Sequence, residues 1–214
     1  MKAAIFDFDG TIADSCYVWE AVDRNFFEKR NMEIPVDYTK KISTLNMRDG
    51  AVFTKVEYDF PDSVEDIMKE WQEGALSEYE NNVMLKPFAA EYIRLLKNKG
   101  VRIGLATSSS PEFYTPVLKK NGIYELFDTF VDGSMGMPNK EFPDIFINCA
   151  DRLKVQPEDC CVYEDILPAI LSAGSAGMLT TAVFEPKSSK DWDKIKSVAG
   201  RSIISFSELI EEVN

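Results

Sequence analysis

Histidine is absent from this chain of 214 residues, and its absence excludes several kinds of catalytic site. A protein without histidine has no Ser-His-Asp triad, no Cys-His pair, no H-E-x-x-H zinc site and no imidazole for acid catalysis. Acid-base chemistry at neutral pH must therefore come from carboxylates, lysine, tyrosine or cysteine.

Cysteine is scarce, and its spacing does not indicate disulfide or redox chemistry. The four cysteines form no C-x-x-C pair, and a bridge between the adjacent Cys160 and Cys161 would be strained. We expect these two thiols, together with Cys16 and Cys149, to be reduced and to lie in a reducing compartment.

Long apolar runs and an excess of basic residues are also missing. No run is long enough to span a bilayer, and residues 1–7 lack a signal-peptide cleavage pattern, so we expect a cytoplasmic protein with no membrane partner. The 36 acidic and 24 basic residues give a net charge of −12, which disfavours binding to nucleic acid. Small anionic substrates remain compatible with this charge, because a bound metal and a few local cations can reverse the field within one cleft.

The most informative motif that is present is DFDGT at residues 7–11, directly after the apolar run at residues 3–6. Open α/β sheets carry their chemistry at the carboxyl ends of strands. Asp7 and Asp9 would repel each other there and need a compensating cation, for which the oxygen-preferring Mg²⁺ is suited. One carboxylate can then attack phosphorus while the other transfers a proton.

The hydrophobic pattern divides the chain into an alternating part and a purely helical part. From residue 84 onward strands and helices alternate, which predicts an α/β, Rossmann-like, doubly wound parallel sheet with right-handed crossovers. Residues 15–83 show helical periodicity only. We therefore expect a catalytic core of residues 1–14 and 84–214, with residues 15–83 inserted as an α-helical cap domain.

Two further predicted strand ends carry polar residues. Thr107 and Ser108 follow an apolar strand and precede a helix, a place where hydroxyls and backbone N–H groups form an anion nest. Glu164 and Asp165 follow another strand, where they are either metal ligands or caps of the next helix. Lys140 lies in a loop, four residues before Asp144.

Together these motifs resemble the haloacid dehalogenase superfamily of aspartate-nucleophile phosphotransferases, and the resemblance extends over the whole chain. It implies that Asp7 is the nucleophile and forms an aspartyl-phosphate. It also implies that Asp9 protonates the leaving oxygen and then activates water, while its backbone carbonyl holds Mg²⁺. By the same resemblance Thr107 binds phosphate with the help of Ser108, and Lys140 neutralises the nucleophile and the transferred phosphoryl group.

The remaining motifs match this family less closely. The resemblance makes Asp165 a Mg²⁺ ligand and makes Glu164 a support for the metal, directly or through water. Where the family commonly has proline, serine and glycine, this chain has three other residues, and they put the loop path and the surroundings of the metal in doubt. These are Glu141, Ile166 and Ala169.

The helical insertion resembles the cap of the β-phosphoglucomutase-like branch. Arg48 stands at the place of a cap arginine that touches substrate there, although an arginine on the surface of a helix is an equal interpretation. Trp19 falls on one helical face with Val22, Phe26 and Phe27, and we expect it in the core of the cap.

The sequence therefore predicts a monomeric, Mg²⁺-dependent phosphatase that hydrolyses a small phosphorylated metabolite, for instance a sugar phosphate. Two alternatives stay open. One is a phosphosugar mutase of the β-phosphoglucomutase type, and the other is a catalytically silent binding or regulatory protein on the same fold.

Overall fold

The computed structural model describes residues 1–211, which fall into two compact units. The core unit consists of Met1–Cys16 and the chain from Val83 onward, and the inserted unit is Tyr17–Asn82. No helix within residues 1–211 is both long enough and apolar enough to cross a membrane.

The elements are short, as is usual for an α/β protein. The strands are β1 (Ala3–Phe6), β2 (Ala13–Asp14), β3 (Met84–Leu85), β4 (Arg102–Ala106), β5 (Thr129–Val131), β6 (Cys160–Glu164), β7 (Leu179–Val183) and β8 (Arg201–Ile203). The α-helices are α1 (Val18–Glu28), α2 (Tyr38–Ile42), α3 (Met47–Glu57), α4 (Val64–Asn81), α5 (Ala89–Asn98), α6 (Pro111–Lys120), α7 (Asp144–Leu153), α8 (Leu167–Ser175), α9 (Trp192–Val198) and α10 (Ser207–Glu211).

Six parallel strands form the main sheet in the order β5-β4-β1-β6-β7-β8, which confirms the doubly wound fold. All four residues of β1 are buried, as expected for a central strand that is covered on both faces. Ile5 belongs to a cluster with residues of α7 and α8. Phe6 points to the opposite face, where it stacks on Tyr163 at 4.4 Å and contacts Tyr92 and Phe206.

The register of the central strands determines which residues meet at the edge of the sheet. Phe6 pairs with Leu105 of β4 on one side and with Tyr163 of β6 on the other. Because the three strands are parallel, the residues that follow them leave the sheet at the same edge. DFDGT and the residues that follow β4 and β6 therefore share one end of the core unit.

Two features of the core unit differ from the sequence prediction. The pattern of residues 188–198 predicts one helix, but a 3-10 helix at Pro186–Asp191 precedes α9. Strands β2 and β3 form a small antiparallel pair on either side of the insertion, which the sequence did not predict. Two residues per strand are too few to produce a recognisable alternation. The sequence also predicts a closing helix over residues 207–213, and the last two of these positions lie outside the described residues.

The inserted unit has an aromatic core. Phe26 and Phe27 of α1 are buried and pack edge-to-face against Trp71 and Tyr38 respectively. Trp19 does not join this core as expected, because 41% of its surface is exposed. It lies one turn before Asp23, at the edge of the buried face of α1, rather than on the row of Val18 and Val22.

Close packing of α7 on β4 leads to the first prediction. A β-carbon at Gly104 would overlap the Cys149 sulfur and lie 3.1 Å from Cδ1 of Leu153. Gly104→Ala should therefore lower the free energy of unfolding by about 1–3 kcal/mol through overpacking. Gly174→Ala in α8 has nothing within 4 Å of its new β-carbon, and it should raise that free energy by about 0.5–1 kcal/mol.

Urea denaturation of both variants measures these changes, and a third variant identifies the cause. Adding Cys149→Ala to Gly104→Ala removes the overlapping sulfur and should make the double variant more stable than additivity predicts. Strictly additive losses would show that the sulfur contact is not the cause.

Candidate active site

The turn after β1 places two carboxylates at the edge of the sheet. The N–H groups of Ile12 and Ala13 both donate to the Phe8 carbonyl, at 3.1 and 2.9 Å, so the chain folds back immediately after Asp9. Gly10 has φ +80°, and a β-carbon there would lie 2.7 Å from Oδ2 of Asp165. Glycine at this position is therefore required both by the backbone conformation and by the close approach of Asp165.

A buried acidic cluster lies at the ends of β1 and β6. It consists of Asp7, Glu164 and Asp165, and one oxygen from each lies within 4.8 Å of the other two. All three side chains are buried, with at most 4% of their surface exposed. Three carboxylates so close together in a low-dielectric environment repel one another strongly unless cations compensate them.

Lys140 supplies one such cation. Its Nζ donates to Oδ1 of Asp7 and, at 2.5 Å, to Oε1 of Glu164. The lysine is 7% exposed, and its backbone carbonyl accepts a hydrogen bond of 2.7 Å from the hydroxyl of Ser172 in α8. The loop between β5 and α7 thus brings Lys140 into the site despite Glu141.

One ammonium does not balance three carboxylates. The pKa values of Asp7 and Asp165 are raised by burial and, in addition, by the neighbouring carboxylates. Burial raises the pKa of Asp7 to about 7, with Lys140 opposing the shift and Glu164 adding to it. Burial and the carboxylates of Glu164 and Asp7 raise the pKa of Asp165 well above its usual range. Burial alone would lower the pKa of Lys140, but Asp7 and Glu164 outweigh it and raise that pKa.

Hydrogen bonds fix the other carboxylates of the site. Oε2 of Glu164 accepts from the backbone N–H groups of Asp165 and Ile166, at 2.8 and 3.2 Å. The hydroxyls of Thr11 and Ser188 each donate to a different oxygen of Asp165, both at 3.2 Å. Ser188 comes from the 3-10 helix after β7, so three strand ends contribute to the position of Asp165.

Hydroxyl groups from two turns hold Asp9. Its carboxylate accepts one hydrogen bond from Ser15 at 2.6 Å and another from Ser109. Ser15 follows β2 and Ser109 follows β4. The two aspartates of DFDGT therefore have different surroundings, and only Asp7 belongs to the acidic cluster.

The turn after β4 forms a compact nest. Thr107 is buried, and its hydroxyl accepts a hydrogen bond of 3.1 Å from the N–H of Ser109. Ser108 is exposed, and its carbonyl lies so close to Gly133 that any side chain there would overlap it. This contact joins the turn after β4 to the loop after β5.

Arg48 lies apart from these residues in sequence, in α3 of the inserted unit. Its side chain is 63% exposed, and its guanidinium forms an ion pair of 3.2 Å with Glu65. This pair fits the interpretation of Arg48 as a helix-surface arginine, and its contact with substrate stays a prediction.

Several residues of the site were not singled out from the sequence. Ser15 lies beside a motif, but a single serine in a polar turn carries no specific pattern. Ser172 and Ser188 reach the site only because the sheet brings α8 and the end of β7 next to β6. No local spacing in the sequence could have identified them.

Comparison with known proteins identifies the family of this chain. A family model described as haloacid dehalogenase-like hydrolase matches residues 4–183. The chain belongs to this family.

The relatives of this hydrolase include enzymes of two kinds. A phosphorylated carbohydrates phosphatase of Thermotoga maritima is 26% identical over 83% of this chain and 82% of that protein. The β-phosphoglucomutase of Bacillus subtilis is 27% identical over 86% of this chain and 83% of that protein. A crystal structure from Thermotoga maritima, described provisionally as a β-phosphoglucomutase, covers 100% of both chains with a TM-score of 0.84 and 24% identity, which shows the same fold.

The acidic cluster of this haloacid dehalogenase-like hydrolase has the chemistry of a metal site. Its donors are all carboxylate oxygens, the ligand type that hard divalent cations prefer. The cluster holds three carboxylates against the one ammonium of Lys140, and burial, together with the neighbouring carboxylates, raises the pKa values of Asp7 and Asp165. A bound divalent cation would remove this imbalance, so the residues present fit a metal ion.

The lysine in this cluster leads to the second prediction. Lys140→Met should lower the free energy of unfolding of the metal-free protein by about 3–5 kcal/mol at pH 8, because it leaves buried carboxylates without their partner. The loss should be smaller at pH 5. The pKa of Asp7 is about 7 in the folded protein against 3.8 for an unperturbed aspartate, so the folded state holds more protons between these values.

The free energy of unfolding therefore falls as pH rises from about 4 to about 7, and it falls more steeply in the variant without the lysine. Urea denaturation with a chelator present, at pH 5 and pH 8, measures the effect. Lys2→Met is the matched control, because Lys2 forms an exposed ion pair with Asp159 and its loss should change the free energy of unfolding little. An equal loss at both pH values for Lys140→Met would contradict this account.

Proposed function

We propose that this chain is a Mg²⁺-dependent phosphatase that hydrolyses a small phosphorylated metabolite through an aspartyl-phosphate on Asp7. The observation that carries the proposal is the buried contact of Lys140 with Asp7 and Glu164, beside Asp165, at the ends of β1 and β6. Binding alone would not need a buried carboxylate held by an ammonium next to further acids. This argument disfavours the catalytically silent alternative.

The family resemblance gives the two aspartates different steps of the reaction. The Asp7 carboxylate attacks phosphorus, a new P–O bond forms, and the ester P–O bond breaks. Asp9 gives its proton to the departing oxygen, then takes a proton from water as that water attacks the phosphorus. This second step releases inorganic phosphate and restores the Asp7 carboxylate.

Lys140 and the nest after β4 act on the charge of the phosphoryl group. The lysine stays protonated, since its two carboxylate neighbours raise its pKa. It offsets charge on Asp7 during the attack and on the phosphoryl oxygens afterwards. Thr107, with Ser108, binds those oxygens through hydroxyl and backbone N–H groups, so that the phosphorus is positioned for attack by Asp7.

Asp7, Asp165 and the backbone carbonyl of Asp9 would hold Mg²⁺, with Glu164 supporting it directly or through water. The bound metal supplies charge compensation for the carboxylates and the phosphoryl oxygens. In this structure both oxygens of Glu164 are engaged by Lys140 and by backbone N–H groups. We therefore assign Glu164 mainly to the orientation of the lysine.

Several features favour hydrolysis over the mutase alternative. A mutase must hold a bisphosphate intermediate in two orientations and exclude water while the aspartyl-phosphate survives. The mutase family uses a histidine in the first cap helix and a lysine later in the cap. This chain has no histidine, Trp19 stands near that place, and residues 71–76 contain no lysine. The phosphatase name of the Thermotoga relative also favours hydrolysis of a carbohydrate phosphate.

The third prediction concerns the two aspartates. Asp7→Asn should abolish release of phosphate from p-nitrophenyl phosphate, because the amide cannot form the acyl-phosphate. Asp9→Asn should lower kcat by about 10²–10⁴-fold through loss of proton transfer. Activity of the unaltered protein should require added Mg²⁺ and disappear with a chelator.

Arg24→Gln, an exposed change in α1, is the control and should retain activity. Circular dichroism checks that each variant is folded. Normal turnover by folded Asp7→Asn would rule out Asp7 as the nucleophile.

The fourth prediction separates hydrolysis from isomerisation. The protein is supplied with β-glucose 1-phosphate and a trace of the 1,6-bisphosphate, and both products are followed. We expect free phosphate to form faster than glucose 6-phosphate. The reverse order would establish the mutase alternative.

A further inference from the structure

A buried ion pair lies close to the acidic cluster and takes no direct part in the proposed reaction. Its members are Lys86, which directly follows β3, and Glu185, two residues after β7. The ammonium lies 2.9 Å from Oε2 of Glu185, and the two side chains are 12% and 4% exposed. Within residues 1–211 this oxygen accepts no hydrogen bond, so the ammonium is the group that compensates it. A buried ion pair contributes little net stability, because desolvation of both charges offsets their attraction, and stability alone does not account for this one.

Glu185 fixes the start of the 3-10 helix at Pro186–Asp191. Oε1 of its carboxylate accepts a hydrogen bond of 3.2 Å from the N–H of Lys187, and its backbone carbonyl accepts one of 3.0 Å from the N–H of Ser188. The hydroxyl of Ser188 in turn donates to Oδ2 of Asp165 at 3.2 Å. The position of Glu185 therefore determines where the hydroxyl that orients Asp165 lies.

Lys86 connects this 3-10 helix to the turn after β1. Its ammonium also donates to the carbonyl of Phe184 at 2.7 Å, and its backbone N–H donates to the carbonyl of Ile12 at 2.9 Å. The neighbouring Thr11 donates its hydroxyl to Oδ1 of Asp165. The two hydroxyls that hold Asp165 thus come from two different turns, and Lys86 holds those turns together. All of these residues belong to the core unit.

We infer that Lys86 and Glu185 are positioning residues for Asp165, and that they act by holding the Ser188 hydroxyl against its carboxylate. This inference rests on the proposed function, since it takes Asp165 as a ligand of the metal ion. A ligating carboxylate whose hydrogen-bond partner is fixed presents its remaining lone pairs in one direction, and loss of such a partner typically weakens metal binding by about 10–100-fold. The ion pair therefore sets the affinity of the acidic cluster for a divalent cation.

The charge of Lys86 and its positioning role predict opposite effects on that affinity. Burial raises the pKa of Asp165, and the Lys86 ammonium is one of the cations that oppose the shift. Through charge alone, removal of this ammonium would strengthen the binding of a cation to the acidic cluster, because a repulsion is lost. Through positioning, the same change weakens the binding, because Ser188 is no longer held. The direction of the change in affinity therefore distinguishes the two effects.

Binding of Mn²⁺ to the metal-free protein tests the inference without any turnover, and the electron paramagnetic resonance signal of the free ion follows it. Lys86→Met and Ser188→Ala should each raise the Kd for Mn²⁺ by about tenfold. The controls are Lys190→Met and Ser189→Ala, which make the same changes at exposed positions of the same 3-10 helix and should leave the Kd unchanged. A Kd for Lys86→Met that is unchanged or lower, or an unchanged Kd for Ser188→Ala, would overturn the inference.

A double variant shows whether Lys86 acts through Ser188. The two changes combined should raise the Kd by about tenfold, as each does alone, because both remove the same hydrogen bond from Asp165. Independent effects would multiply to about a hundredfold and would overturn the inference. Urea denaturation checks that each variant is folded. If Lys86→Met does not fold, Glu185→Gln takes its place in the cycle, because the amide retains an oxygen for the N–H of Lys187.

Turnover supplies a second measurement, which a purely structural role would not change in the same way. With p-nitrophenyl phosphate, the Mg²⁺ concentration that gives half of the maximal rate should rise by about tenfold in Lys86→Met. The value of kcat at saturating Mg²⁺ should fall by a smaller factor, because Asp165 is held in place once the metal is bound. Loss of folded protein would instead lower the rate by the same factor at every Mg²⁺ concentration, and that result would contradict the inference.

The outcomes separate this inference from the proposed function. Hydrolysis that requires Mg²⁺, together with a Kd for Mn²⁺ that Ser188→Ala leaves unchanged, overturns the inference and leaves the function standing. No hydrolysis of any ester, together with the expected changes in Kd, overturns the function and supports the inference. No binding of Mn²⁺ by the unaltered protein overturns both.

Discussion

The contact of the Lys140 ammonium with Asp7 and Glu164 is the interaction on which the rest of the core unit depends. Three carboxylates meet where β1 and β6 end, and a cluster of that kind is stable only with positive charge inside it. One ammonium leaves an excess of negative charge, and burial together with the neighbouring carboxylates raises the pKa values of Asp7 and Asp165. The net negative charge of the site therefore favours the binding of one more cation, together with the phosphoryl group that this cation would accompany.

This requirement explains why distant parts of the chain converge on one edge of the sheet. Ser172 of α8 holds the backbone of Lys140, and Ser188 after β7 holds Asp165. Gly10 lets the turn after β1 come close enough for Asp165 to sit against its backbone. Each of these contacts fixes a charged group in one position, which is what phosphoryl transfer needs, since positioning and charge stabilisation account for most of its catalysis.

The elements and site residues that could be predicted from the sequence are those that a local sequence pattern indicates. The apolar run before DFDGT indicated a central strand, and alternating elements after residue 84 indicated the parallel sheet. Asp7, Glu164 and Asp165 could be named because parallel strands end at a common edge. Ser188, a hydroxyl partner of Asp165, could not be named, because it approaches Asp165 through tertiary structure alone. Trp19 was misjudged for a related reason, since helical periodicity cannot tell the edge of a buried face from its centre.

Buried carboxylates occur in both units, and the groups around them differ. Asp7 and Asp23 are equally buried, and burial raises the pKa of both. Asp7 lies among other carboxylates with the ammonium of Lys140 beside it, and its pKa is raised to about 7. Asp23 has a hydroxyl partner in Thr39 and one acidic neighbour in Glu20, and its pKa is raised to about 6. Low exposure is therefore common to both acids, whereas the crowding of carboxylates that favours a bound cation belongs to the cluster of the core unit.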